Sequence, residues 1–175
     1  IQVSLPCETG RLKTVVMCLA NPLSVCSFLR QGGFDLATLH QARHNRWALL
    51  HNYQRVRQQQ LALAELLQTR GVQVLWAEGV ADCLTQHYTR DTGFAIDPTF
   101  FLANPRRRSR QRELAGLRSL LPRFSRVARL EHGSIEGGDV MLDRRFVLVG
   151  LGEETNHDGV ESLRDKLTQV GLKRE

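Results

Sequence analysis

The sequence predicts an α/β protein built from a recurring unit of two strands, a helix and a strand. Three observations predict it. Short apolar runs of strand length alternate with stretches of helical period. Glycine or proline stands at many of the boundaries. The same order of signals then returns along the chain, as it does in proteins whose units bury one another's faces.

The elements follow in order. Leu12 to Leu19 is a short apolar run and reads as a strand. Asn21 to Leu36 is mixed, is broken by Gly32-Gly33, and reads as a loop. Leu39 to Arg70 is helical: Trp47, Leu50, Tyr53, Leu61, Ala64 and Leu67 recur at helical steps with Arg and Gln between them. Gly71 stands where a helix C′ glycine belongs, and Val72 to Ala77 alternates as a strand. Thr92 to Ile96 and Thr99 to Ala103 are strands broken by Asp97-Pro98. Ser109 to Leu121 is a helix with Leu114, Leu117, Leu120 and Leu121 on one face, ended by Pro122. Val127 to Glu131 is a strand. Asp139 to Leu142 and Arg145 to Gly150 form a hairpin around Asp143-Arg144. Glu161 to Val170 closes the series as a helix with Leu163, Leu167 and Val170 inward and Gly171 at its end. The third unit stops after its helix, which predicts that the chain is the N-terminal part of a longer repeat.

The 175 residues suit a single domain over 1–175 with a core of its own, and 42% hydrophobic with 24% charged residues excludes a disordered chain. No apolar run approaches the roughly 18 residues a membrane span needs, and no basic segment followed by an apolar core marks a secretory signal. Cys7, Cys18, Cys26 and Cys83 include no C-x-x-C pair, so they read as free thiols of a cytoplasmic protein and no metal site is expected. The net charge of +6 comes from 21 Arg and 3 Lys against 18 acids. Its densest run, Arg106-Arg107-Arg108-Ser109-Arg110-Gln111-Arg112, lacks the interleaved aromatics on which single strands stack. It reads as a solvated loop and first helical turn, and no nucleic-acid partner is expected.

Two acidic motifs can carry chemistry. In Tyr88-Thr89-Arg90-Asp91-Thr92-Gly93-Phe94 the aspartate precedes a strand, and Asp-Thr-Gly is equally good turn chemistry. In Ile135-Glu136-Gly137-Gly138-Asp139-Val140 two carboxylates bracket a glycine pair that permits a sharp turn or a close approach. Paired carboxylates are the natural receptor for a guanidinium, a planar cation with donors in a rigid fork.

These two motifs stand in one order with Glu8-x-Gly10-Arg11-Leu12-Lys13-x-Val15, Arg110-x-x-Glu113, Val149-Gly150 and Thr155-Asn156-x-x-Gly159. On these residues the chain resembles the guanidino-group-modifying enzymes: arginine deiminases, dimethylarginine dimethylaminohydrolases and amidinotransferases. The resemblance implies the pentein fold, a five-bladed α/β propeller, of which this chain supplies about two and a half to three strand–strand–helix–strand units. It also implies a chemistry in which a cysteine thiolate attacks the guanidinium carbon and a histidine serves as acid and base. Asp91 and Glu136 match the catalytic carboxylates that hold the guanidinium. Asp91, Asp139 and Arg110 match substrate-binding positions, Arg110 as a contact to a substrate carboxylate. The family's cysteine and histidine fall beyond residue 175, so the chain alone is expected to be inactive. The expected partner is a small guanidino compound, with no cofactor. An incomplete propeller exposes strand edges, which predicts association between copies of the chain.

One position departs from the family pattern. Many relatives carry an arginine just before the threonine, where it binds the substrate α-carboxylate; here Glu154 takes the place. An acid repels a carboxylate and attracts an ammonium, so either the substrate lacks an α-carboxylate or another arginine takes over the contact; arginine itself and arginine-like compounds both stay open. Hydrolase and transferase both remain open at this point, as does a non-catalytic pentein that binds a macromolecular partner.

Overall fold

The computed structural model describes residues 1–22, 52–81 and 83–173. The first unit opens with β1 (Thr14–Met17), which pairs in parallel with β2 (Gln73–Trp76) in the register Thr14↔Gln73 to Met17↔Trp76. Parallel neighbours need a crossover, and α1 (Tyr53–Thr69) lies within it. Asn52 caps α1 by accepting from the Arg55 N–H, and Gly71, at φ +76°, leaves its C-terminus in the left-handed region that favours glycine. Gln60 fastens the helix to the chain leaving β1, accepting from the Ala20 N–H at 2.8 Å and donating to the Cys18 carbonyl at 2.9 Å.

The apolar recurrence in α1 marks its buried stripe only in part. Ala64 is buried and Leu67 half-buried, but Leu61 is exposed. Of the two helical steps back from Ala64, Gln60 is half-buried with its amide bound to main chain, while Leu61 is exposed. Trp47, Leu50 and nearly all of the expected loop from Asn21 to Leu36 lie outside the described residues.

The second unit is complete. β3 (Gly93–Ile96) and β4 (Thr99–Leu102) form an antiparallel hairpin around Asp97-Pro98. Asp97 has φ +44° and the proline ring fixes the next φ negative, the sign order of a type II′ turn. α2 (Arg108–Glu113) and two 3₁₀ turns, Leu114–Leu117 and Leu121–Arg123, lead to β5 (Val127–Arg129), which pairs in parallel with β4. The helix therefore ends at Glu113, well before Pro122, which sits inside the second 3₁₀ turn. The turn suits Pro122 because its missing N–H falls at a helical N-terminal position. The leucines keep their expected side: Leu117 and Leu120 are buried, with Leu114 and Leu121 packed beside them.

In the third unit β6 (Val140–Leu142) and β7 (Val147–Val149) form a hairpin followed by α3 (His157–Gln169). Asp143 and Phe146 exchange both backbone hydrogen bonds at 3.0 Å. The two-residue loop is thus Arg144-Arg145, one residue later than the sequence suggested. Asn156 caps α3 by accepting from the Gly159 N–H at 2.9 Å.

The described strands form separate sheets of two, three and two strands. β4 lies between two cores. Phe101 joins Phe94, Ile96, Leu130, Ile135 and Leu163 on one face, while Phe100 and Leu102 join Leu75, Leu117 and Leu120 on the other. All four β4 residues are buried, which is why its sequence reads as a continuous apolar run without alternation. No helix among the described residues is long and apolar enough to cross a membrane.

Candidate guanidinium site

Two short turns, each immediately ahead of a strand, bring the acidic motifs together. Asp91 sits on the 3₁₀ turn Thr89–Thr92 that leads into β3. The Thr89 hydroxyl donates to the Val16 carbonyl at 2.9 Å, which ties this turn to β1. Glu136 immediately precedes the 3₁₀ turn Gly137–Asp139 that leads into β6. The glycine pair lets the two turns touch. A Cβ on Gly137 would lie 2.1 Å from the Arg90 carbonyl oxygen, and one on Gly138 would lie 2.5 Å from Asp91 Oδ1. Neither glycine has a left-handed φ. The pair therefore serves close approach, and what approaches is the chain's own Arg90-Asp91.

Arg110 of α2 lies in the middle of the acids. It is 6% exposed. Its guanidinium donates to Asp91 Oδ2 at 2.6 Å, to Glu113 Oε2 at 2.6 Å and to the Thr85 carbonyl at 2.8 Å, and its Nε lies 3.8 Å from Glu136 Oε1. Its terminal nitrogens bind protein acids and carbonyls, so in this structure it is a buried counter-cation. It is not part of a solvated loop. Its neighbours Arg106, Arg107 and Arg112 are bound to the chain as well, to the Glu153 carbonyl, the Glu154 carboxylate and the Ala81 carbonyl.

The carboxylates differ sharply in electrostatics. Burial pushes the Glu136 carboxyl up to about 7; Arg110 opposes the rise, and the nearby Asp91, Glu154 and Asp139 add to it. Glu136 Oε1 is buried and has no hydrogen-bond partner. Asp91 is also raised by burial, but Arg110 and the Gly138 N–H oppose the rise and favour its ionised form. Glu113 is raised by burial against a hydrogen bond from the Thr85 hydroxyl at 2.7 Å and the charge of Arg110.

Asp139 reaches the same place through Thr155. The Thr155 hydroxyl donates to Asp139 Oδ2 at 2.5 Å and accepts from the Glu136 N–H at 3.2 Å. Thr155 is fully buried and fixes the spacing of the two acids. Glu154, beside it, pairs through Oε1 with Arg107, while its Oε2 is buried without a hydrogen-bond partner.

Asp91, Glu136, Asp139 and Arg110 thus stand together, as the motifs suggested. Sequence reasoning gave no role to two members, Glu113, named only as a motif position, and Arg107. Glu113 had a legible signal, since Arg110 and Glu113 are three apart on a helix and such pairs face one another. Arg107 had none, because its partner is 47 residues away. No nucleophile stands here among the described residues. Cys18 and Cys83 are buried, and burial pushes the Cys18 thiol up to about 11. Cys7 is half-buried, Cys26 lies outside the described residues, and His132 is exposed. No group of three metal-ligating side chains occurs among the described residues.

The fold that carries this acidic cluster is a pentein fold. Similar architecture occurs in a dimethylarginine dimethylaminohydrolase from Pseudomonas aeruginosa complexed with citrulline, at a TM-score of 0.71 and 19% identity, over 94% of this chain and 60% of that one. It occurs also in the amidinotransferase SxtG from Microseira wollei, at a TM-score of 0.65 and 14% identity, over 97% and 62%. The arginine deiminase family model matches residues 80–174, more than half of the sequence, and the chain belongs to that family. It is 26% identical over 168 residues to the uncharacterized protein YkgA of Bacillus subtilis, covering 94% of this chain and 54% of that protein. It is 27% identical over 114 residues to the N(G),N(G)-dimethylarginine dimethylaminohydrolase of Streptomyces coelicolor, covering 64% and 44%. The chain thus spans about half the length of the curated relatives it matches.

Proposed function

We propose that the chain supplies the guanidinium-holding part of a hydrolase that acts on an arginine-like guanidino compound through a cysteine–amidino intermediate. The observation that carries this reading is the buried Glu136 oxygen with no hydrogen-bond partner, set beside Asp91 in a cluster where acids outnumber arginines. A buried carboxylate oxygen without a donor is costly, and a bound guanidinium relieves that cost. Binding such a cation draws Glu136 toward its ionised form, so uptake near pH 7 releases part of a proton.

In this reading Glu136 and Asp91 orient the planar cation. Asp139 acts through Thr155 to hold Glu136 in place, and Arg110 keeps Asp91 ionised. The thiolate sulfur adds to the guanidinium carbon, and the leaving amine departs with a proton delivered by the histidine. Water, deprotonated by the same histidine, then displaces the sulfur. Neither the thiolate nor the imidazole is assigned to a described residue of this chain. Glu154 favours a guanidino compound with no carboxylate at its far end, since its buried Oε2 would repel one.

An amidinotransferase of the same fold is the second reading, favoured by the likeness to SxtG; there an acceptor amine replaces water. A non-catalytic pentein has no use for the unsatisfied Glu136 oxygen. Assays of the full gene product with guanidino compounds, with and without an α-carboxylate, test all three. Release of ammonia or alkylamine, faster without the carboxylate, is expected. Amidino transfer to an added amine selects the second reading. No turnover of any compound overturns the enzyme.

A further inference from the structure

The sequence motif around Glu8 takes no part in the chemistry above, yet its carboxylate reaches the site's frame. Arg90 stands directly before Asp91 in the chain. Its Nε donates to the carbonyl of Gly137, the residue after Glu136, at 2.9 Å. One terminal nitrogen donates to the carbonyl of Val140, the residue after Asp139, at 2.5 Å. Both terminal nitrogens also reach the Glu8 carboxylate, at 2.7 and 3.3 Å. Glu8 is in turn anchored on β6: its Oε1 accepts from the Leu142 N–H at 3.3 Å, and its own N–H donates to the Leu142 carbonyl at 3.2 Å.

One guanidinium therefore joins the turn that carries Asp91 to the loop that carries Glu136 and Asp139, in addition to the Gly137 contact with the Arg90 main chain. We propose that Arg90, braced by Glu8, is a positioning residue that fixes the distance between Asp91 and Glu136. This rests on the reading of that pair as the guanidinium holder. As a bare ion pair the contact would be weak, because the Arg90 and Glu8 side chains are 45% and 31% exposed. Its effect comes from geometry. A planar fork satisfies two carbonyls and a bidentate carboxylate at once, and lysine has no equivalent. Displacements of about 1 Å at a reacting centre can cost on the order of a hundredfold in rate.

The test uses the full gene product and compares Arg90→Lys, Arg90→Gln and Glu8→Gln with the parent. The deciding readout is the titration of Glu136, followed by NMR of labelled glutamate carboxyl carbons. Loosening the turns admits water and moves the midpoint down from about 7 toward the ordinary carboxylate range. Loss of a nearby positive charge alone would move it up, so the direction separates geometry from charge. Arg90→Lys, which keeps the charge, is expected to lower the midpoint by about a unit and kcat by tenfold or more, with a smaller change in KM. Glu8→Gln should shift both in the same direction by less, and it serves as the decisive variant where substitution of Arg90 prevents folding. An unmoved Glu136 midpoint in a folded variant overturns the proposal, whatever happens to melting temperature. If the parent turns over no guanidino compound, the functional reading fails while the titration still decides whether the clasp sets the geometry.

Discussion

The two acidic motifs look alike in sequence, each a carboxylate beside a glycine just before a strand, but the structure treats them differently. Asp91 is satisfied: one oxygen takes Arg110 and the other faces the Gly138 N–H. Glu136 keeps a buried oxygen with no hydrogen bond, the Arg110 Nε lying 3.8 Å from it, and a carboxyl pushed up to about 7. The first carboxylate is held by hydrogen-bonded partners, and the second has only a longer ion pair. Paired acids divide their work in this way when their environments set their proton affinities apart.

The largest effect that breaks the comparison comes from the satisfied partner. Asp91→Ala leaves Arg110 buried with one carboxylate fewer, and breaking a buried pair costs about 3 kcal/mol. Denaturant unfolding should show that loss. The same variant removes a negative neighbour of Glu136, so the Glu136 midpoint should fall.

Glu136→Gln sharpens the contrast. The Glu136 carboxyl is raised on folding, so the folded protein holds its proton more tightly than the unfolded chain. Its stabilising contribution is complete below the ordinary value of 4.5 and is lost as pH rises through about 7. The slope in that window is at most about 1.4 kcal/mol per pH unit. Glu136→Gln should flatten this slope and leave the protein more stable than the parent at pH 8, while activity of the full gene product falls by orders of magnitude. A parent whose melting temperature does not decline between pH 5 and pH 8 relative to the variant would contradict the assignment.

Arg107→Ala has the smallest expected effect on stability, about 0.5 kcal/mol, since this pair is partly exposed. Its value lies in specificity. Freeing Glu154 of its partner should strengthen the preference for substrates with a cationic far end, read as a change in relative kcat/KM.

Much of the fold was legible, because strands buried on both faces and helices with leucine stripes leave plain patterns. β4 and the Leu117–Leu120 face show this. The misreadings have physical causes. Leu61 carries an apolar side chain at a helical step, but half-buried Gln60 makes the inward contact by hydrogen bonding, which hydropathy does not see. Pro122 looked like a helix stop, whereas α2 had already tightened into 3₁₀ turns. In the site, Asp91, Glu136 and Asp139 were legible because each sits in a motif. The partners of Arg110 within the protein were not legible, since nothing local says that Asp91 lies 2.6 Å away. Glu154 was visible as a departure, but its pairing with Arg107 spans 47 residues and needs the fold.

The position of β4 between two cores also bears on how the chain acquires its structure. β3 and β4 are joined by two residues, so their hairpin closes a very short loop and can form early. Once formed, it presents Phe101 to one side and Phe100 with Leu102 to the other, so both hydrophobic clusters condense on the same template. Such a strand couples the two halves cooperatively. They are then expected to melt in a single transition, with the turn that carries Asp91 organised at its centre.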